Sequence, residues 1–64
     1  MKRCAPCAKD FRSWTAFGRH VMAEHTVDRH AFWRRANQIG DAPCVLVRSD
    51  ANRWFLMVQD RLSL

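Results

Sequence analysis

Four side chains near the start of the chain have the types and spacing to hold one metal ion: Cys4, Cys7, His20 and His25, in the pattern C-x2-C-x12-H-x4-H. Two thiolates on a short knuckle can reach a single ion, and two imidazoles arriving from the end of a following helix complete a tetrahedron. All four ligand types suit Zn2+. Four protein ligands close the coordination shell, whereas a catalytic zinc keeps one position for water or substrate. The chain has no other paired acid, base or nucleophile that stands out, and at its length little room for a pocket. The chemistry expected is therefore one structural zinc, with no catalytic residues and no small-molecule substrate.

For these ligands to converge, residues 1–11 must form a hairpin around the Cys4-Ala5-Pro6-Cys7 knuckle, where Pro6 fixes one backbone angle of the turn. Ser13 then offers a helix N-cap, its hydroxyl accepting from a free first-turn amide. Trp14, Phe17, His20, Val21 and Glu24 follow at helical spacing. Phe11 and Phe17 place an apolar residue on each layer to close over the ion. Gly18 costs about 1 kcal/mol relative to Ala in a helix interior. His20 and His25 would sit about 140° apart on a regular helix, so the helix is expected to loosen or end near residues 23–24.

On Cys4, Cys7, Phe11, Phe17, His20 and His25, residues 1–26 resemble the two-cysteine, two-histidine ββα zinc finger family. Two departures stand out. Lys2 occupies the place where the family usually has an aromatic residue, so the first strand is expected to bring little to the core and another element to cover that side. After His25 the chain reads Thr26-Val27-Asp28-Arg29, with no Gly-containing linker and no second C-x2-C. The resemblance is thus to one finger with an unrelated extension, similar in outline to prokaryotic single fingers whose flanks enlarge the core, although the x12 spacing is that of the eukaryotic type. A short reading frame beginning at Met1 suits a bacterial, archaeal or viral accessory protein.

A chain of 64 residues is expected to make one domain that buries only about 60% of its unfolded surface, so a staple is needed. Three cysteines cannot all pair, and a C-x2-C knuckle reads better as a metal clip than as half of a disulfide framework. A reducing compartment is inferred: intracellular, cytoplasmic or, in a eukaryote, nuclear. No apolar run approaches the roughly 20 residues that span a bilayer, and no signal-peptide hydrophobic region opens the chain.

Beyond the finger, residues 27–38 read as a second helical segment. Asp28 is its N-cap, Phe32, Ala36 and Ile39 share one face, and Gly40 terminates it; it could continue the first helix after a kink. Pro43 then makes a turn. Cys44-Val45-Leu46-Val47 and Trp54-Phe55-Leu56-Met57-Val58 read as two antiparallel strands around a Ser49-Asp50-Ala51-Asn52 loop. Helical spacing of Trp54, Met57, Val58, Arg61 and Leu62 makes residues 53–62 a rival helix. The fold expected is a small α+β zinc-stapled domain: a ββα finger (1–26), a helical extension (27–40) and a C-terminal β-hairpin (43–59). His30, five residues after His25, reads as a surface histidine, and Cys44 as a small buried hydrophobe.

Eleven Lys and Arg against six Asp and Glu give a formal charge of +5, shared as +3 in residues 1–26 and +2 in residues 27–64. Nine of the eleven are Arg, whose planar fork suits phosphate. Arg29, Arg34 and Arg35 interleave with Phe32 and Trp33, the composition that holds phosphates and stacked bases, although an ordinary amphipathic helix has the same look. By resemblance, the base-contacting positions of DNA-binding fingers match Ser13, Ala16 and Arg19, with Thr15 between them. Only Arg19 can make a bidentate guanine contact. The function expected is nucleic-acid binding, to DNA or RNA, with phosphates held by Arg12, Arg19, Arg29, Arg34 and Arg35. The alternative is a protein-interaction module docking on a larger assembly such as RNA polymerase or the ribosome through exposed Trp and the hairpin edge.

Overall fold

The computed structural model describes residues 1–59. β1 (Lys2–Cys4) and β2 (Lys9–Phe11) form the expected antiparallel hairpin, with Lys2 opposite Phe11 and Cys4 opposite Lys9. Pro6 takes the second position of the turn between them, closed by the Ala8 amide donating to the Ala5 carbonyl at 3.2 Å. α1 (Trp14–Glu24) is capped by Ser13, whose hydroxyl accepts from the Ala16 amide at 3.1 Å. It ends where the ligand spacing requires: His25 is extended, at φ −133° and ψ 151°, although its amide still donates to the Val21 carbonyl.

α2 (Arg29–Ile39) starts at Asp28, whose carboxylate accepts from the His30 amide at 3.0 Å, and stops at Gly40, where φ is 64°. That left-handed angle suits glycine. Residues 26–28 are not helical, so α2 is a separate helix and not α1 continued through a kink. β3 (Cys44–Arg48) and β4 (Trp54–Val58) are antiparallel. In their loop the Ser49 hydroxyl accepts from the Ala51 and Arg53 amides, and Asn52 takes a φ of 61°. The rival helix is therefore absent at residues 54–58; Arg61 and Leu62 lie outside the described residues.

The two hairpins join in one four-stranded sheet of order β2-β1-β3-β4, because β3 runs parallel to β1 with Lys2 opposite Cys44 and Cys4 opposite Leu46. A parallel pair needs a crossover, supplied here by β2, α1 and α2. Both helices bury against one face of this sheet. Cys4, Cys44, Leu46 and Leu56 meet Phe17 and Val21 of α1 and Phe32, Ala36 and Ile39 of α2 in a single core. Phe55 and Met57, alternating with Leu56, remain 47% and 50% exposed. Among the described residues no helix is long and apolar enough to cross a membrane.

Lys2 departs from expectation. It is only 7% exposed: its ammonium donates to the Arg12 carbonyl at 3.3 Å and stands 5.0 Å from the Trp14 ring centroid. The aliphatic stem fills the place of an apolar side chain while the head finds an acceptor and a π face. Gly18 also gains a reason. A Cβ there would collide with the six-membered ring of Trp33, so the missing side chain lets that indole lie against α1.

Candidate functional site

The β1–β2 knuckle brings Cys4 and Cys7 to the C-terminal end of α1, where His20 projects from the last helical turns and His25 from the first residue beyond them. One ligand atom from each of the four lies within 4.8 Å of all the others. His25 Nε2 is 3.2 Å from Cys4 Sγ and 3.5 Å from Cys7 Sγ. A tetrahedral zinc sets its ligand atoms roughly 3.3 to 3.8 Å apart, so the four side chains are close enough to hold one metal ion. His20 Nε2 is buried with no hydrogen-bond partner among the described residues. A buried imidazole nitrogen left without a partner carries a desolvation cost, which coordination would remove. Neither Cys44 nor His30 belongs to the cluster.

Burial pushes the Cys4 thiol up, offset in part by the Cys7 backbone and reinforced by the Cys7 thiol. Burial, followed by repulsion from His20, pushes the His25 imidazole down. Desolvation thus favours the neutral form of both. That is the ligand state of histidine, whereas thiols must lose their protons to the ion. Phe11 packs on the His20 ring at 5.0 Å and on Phe17 at 5.4 Å, centroid to centroid.

Trp54 of β4 lies 4.6 Å from His25 and carries the Arg48 guanidinium 5.4 Å from its own centroid. This cover over a residue of the cluster has no local sequence signal, because the hairpin reaches the knuckle only through the β1–β3 pairing. The Ala5 amide of the knuckle donates to the Leu46 carbonyl at 3.1 Å, which fastens the two together.

The residues considered for nucleic acid divide. Arg12, Ser13, Thr15, Ala16, Arg19, Arg29 and Arg34 are exposed, and Arg35 is half-buried. Ser13 already caps α1. The Arg35 Nε donates to the Leu56 carbonyl at 2.9 Å and its Nη1 to Gln38 Oε1 at 3.1 Å. Phe32 is 3% exposed and is not available to stack on a base, and Trp33 is half-buried. The interleaved Arg and aromatic residues are thus sorted by the helix into a core side and an outer side.

Together these features define a small α+β domain, two helices on a four-stranded sheet, with a two-cysteine, two-histidine cluster able to hold one metal ion. Compared with protein-family models, curated proteins and solved structures, the chain matches none.

Proposed function

We propose that the ion is a single structural zinc, that residues 1–26 are a zinc-finger unit whose core the extension completes, and that the protein is a non-enzymatic nucleic-acid-binding module. The observation that carries the nucleic-acid reading is the state of the arginines. Arg12, Arg19, Arg29 and Arg34 are exposed, while the guanidinium groups that find hydrogen-bond partners among the described residues belong to Arg3 and Arg35. Guanidinium forks without partners among the described residues, on a chain of charge +5, are matched by phosphate.

Phosphate binding releases counterions, with a log-log salt slope of about −0.9 per phosphate on duplex DNA and about −0.7 on a single strand. Four arginines therefore give a slope of roughly −3 to −4. Titration of labelled DNA and RNA oligonucleotides at several salt concentrations tests this, and absence of binding at low salt would sink it.

One observation favours protein docking as the second reading. Val45, Val47, Phe55 and Met57 alternate with the core residues of β3 and β4, so an apolar strip lies on the face away from the helices. On that reading Phe55→Ser and Met57→Ser would abolish partner capture and leave nucleic-acid binding unchanged.

A further inference from the structure

A cleft of about 520 Å3 opens between α1 and α2, lined by Gly18, Arg19, Met22 and Ala23 of the first helix and Arg29 and Trp33 of the second. It shares no residue with the metal cluster. Its two charged residues are both cationic, and neither is among the arginines that find hydrogen-bond partners within the described residues. Its apolar wall is Met22 and the Trp33 indole. That indole is held in place by Gly18 on one side, where a Cβ would collide, and by Phe32 and Trp14 at ring centroids 5.0 and 6.4 Å away.

We propose that this cleft holds one unpaired nucleotide of a single-stranded nucleic acid, with its base against Trp33 and Met22 and its flanking phosphates on Arg19 and Arg29. The proposal rests on the nucleic-acid reading above and adds which form of nucleic acid is bound and where. The volume falls within the roughly 300 to 1,000 Å3 of small-ligand pockets. A rigid aromatic wall beside free guanidinium groups is the composition that holds single strands, because every unpaired base has a face to stack.

Duplex is disfavoured by shape. A major groove about 12 Å wide admits one helix, and an α-helix with its side chains is itself about 10–12 Å across. Here the cleft is lined by both helices, so a major groove that reached Arg19 and Arg29 together would have to admit more than one. An acidic peptide would satisfy the two arginines but would leave the Trp33 and Met22 wall without a flat partner.

The test uses the 64-residue chain loaded with zinc and a labelled oligothymidylate of about eight nucleotides, a length within the site size of one small single-strand-binding domain. The same strand with its internal bases removed, the matching duplex, and polyglutamate are the comparison probes. The single strand should bind more tightly than the duplex, and the base-free strand should bind roughly 5- to 150-fold more weakly, the loss of one stacked base. Arg19→Ala and Arg29→Ala, both at exposed positions, should each reduce the salt slope by about 0.7. The Trp33 indole resonance should shift on binding, while that of Trp14, bonded to the Gly40 carbonyl, stays.

Equal binding of the base-free strand, or slopes unchanged by both variants but reduced by Arg12→Ala and Arg34→Ala, would overturn the cleft assignment and leave the nucleic-acid reading standing. Tighter binding of the duplex would do the same. Polyglutamate competing below the concentration of the oligonucleotide would replace the nucleotide by an acidic peptide. No binding of any nucleic acid at low salt would remove both readings together.

Discussion

The indole of Trp54 packs on the imidazole of His25, ring centroids 4.6 Å apart, so a residue of the last strand covers a side chain of the metal cluster. An aromatic contact of this kind contributes about 0.5 to 1.5 kcal/mol beyond its buried area. Trp54→Ala should therefore release metal to a chelator roughly 2- to 10-fold faster, while the circular dichroism of the loaded protein remains folded. A release rate equal to the parent's would show that the indole merely lies nearby.

Metal removal should unfold the protein. Apparent binding energies of about 10 to 16 kcal/mol in such sites exceed what a core with nine buried apolar side chains among the described residues supplies in a chain of this size. Cys4→Ser, Cys7→Ser, His20→Ala and His25→Ala should each lose the ion, whereas Cys44→Ser and His30→Ala should retain one per chain, measured by elemental analysis. A cooperative thermal transition in the fully chelated protein would contradict this.

Gly18→Ala separates two opposed effects. Helix propensity alone makes the change stabilising by about 1 kcal/mol. The collision with Trp33 makes it destabilising, by about 1 to 3 kcal/mol for overpacking at a site with little room. The collision should win, because the obstacle is a ring wedged between Gly18 and Phe32 and not the free end of a flexible chain. Denaturant unfolding of the metal-loaded variant gives the sign directly.

Helix boundaries were legible in the sequence because each is set by its own residues: Ser13 and Asp28 accept first-turn amides, Gly40 supplies a left-handed angle, and Asn52 does so in the last loop. The cluster of Cys4, Cys7, His20 and His25 was legible because their types and spacing suffice. The parallel pairing of β1 with β3 was not, since three residues reading Lys2-Arg3-Cys4 show no apolar alternation, and Lys2 is buried where composition places it outside. With that pairing hidden, the cover of His25 by Trp54 was hidden too. The packing role of Gly18 had only a weak signal, a glycine inside a helical pattern.

Cys44 is fully buried, and burial raises its thiol, offset in part by Lys2, the N-terminal amine and Arg35. A folded value above the unfolded one means that this group's stabilising contribution is complete below about pH 8.5, the unfolded thiol value, and is lost as pH rises through the raised folded value. The metal-loaded protein should accordingly lose stability in that alkaline range, and Cys44→Ala should flatten the loss. At neutral pH Cys44 should resist a thiol reagent until chelation, after which three thiols per chain become reactive.

Arg34 and Arg35 are neighbours of the same type, yet one helical step of about 100° puts them in different surroundings. Arg34 is exposed. Arg35 reaches back across β4, the edge strand, and its Nε donates to the Leu56 carbonyl at 2.9 Å while Nη1 holds Gln38. That carbonyl points away from β3, because Val45 and Val47 make the bonds to β4 while the Leu46 carbonyl is turned toward β1. The guanidinium therefore ties α2 to the sheet and also caps an acceptor on an open edge, where unpaired groups invite another strand. Arg35→Ala should lower stability by roughly 1 to 2 kcal/mol, less than a fully buried charged hydrogen bond because the side chain is half-exposed. It should also raise the tendency to associate as concentration increases. Arg34→Ala should change stability by no more than about 0.5 kcal/mol, as surface substitutions do. Thermal unfolding with light scattering on the two variants distinguishes them, and equal behaviour would show that the Leu56 contact contributes nothing.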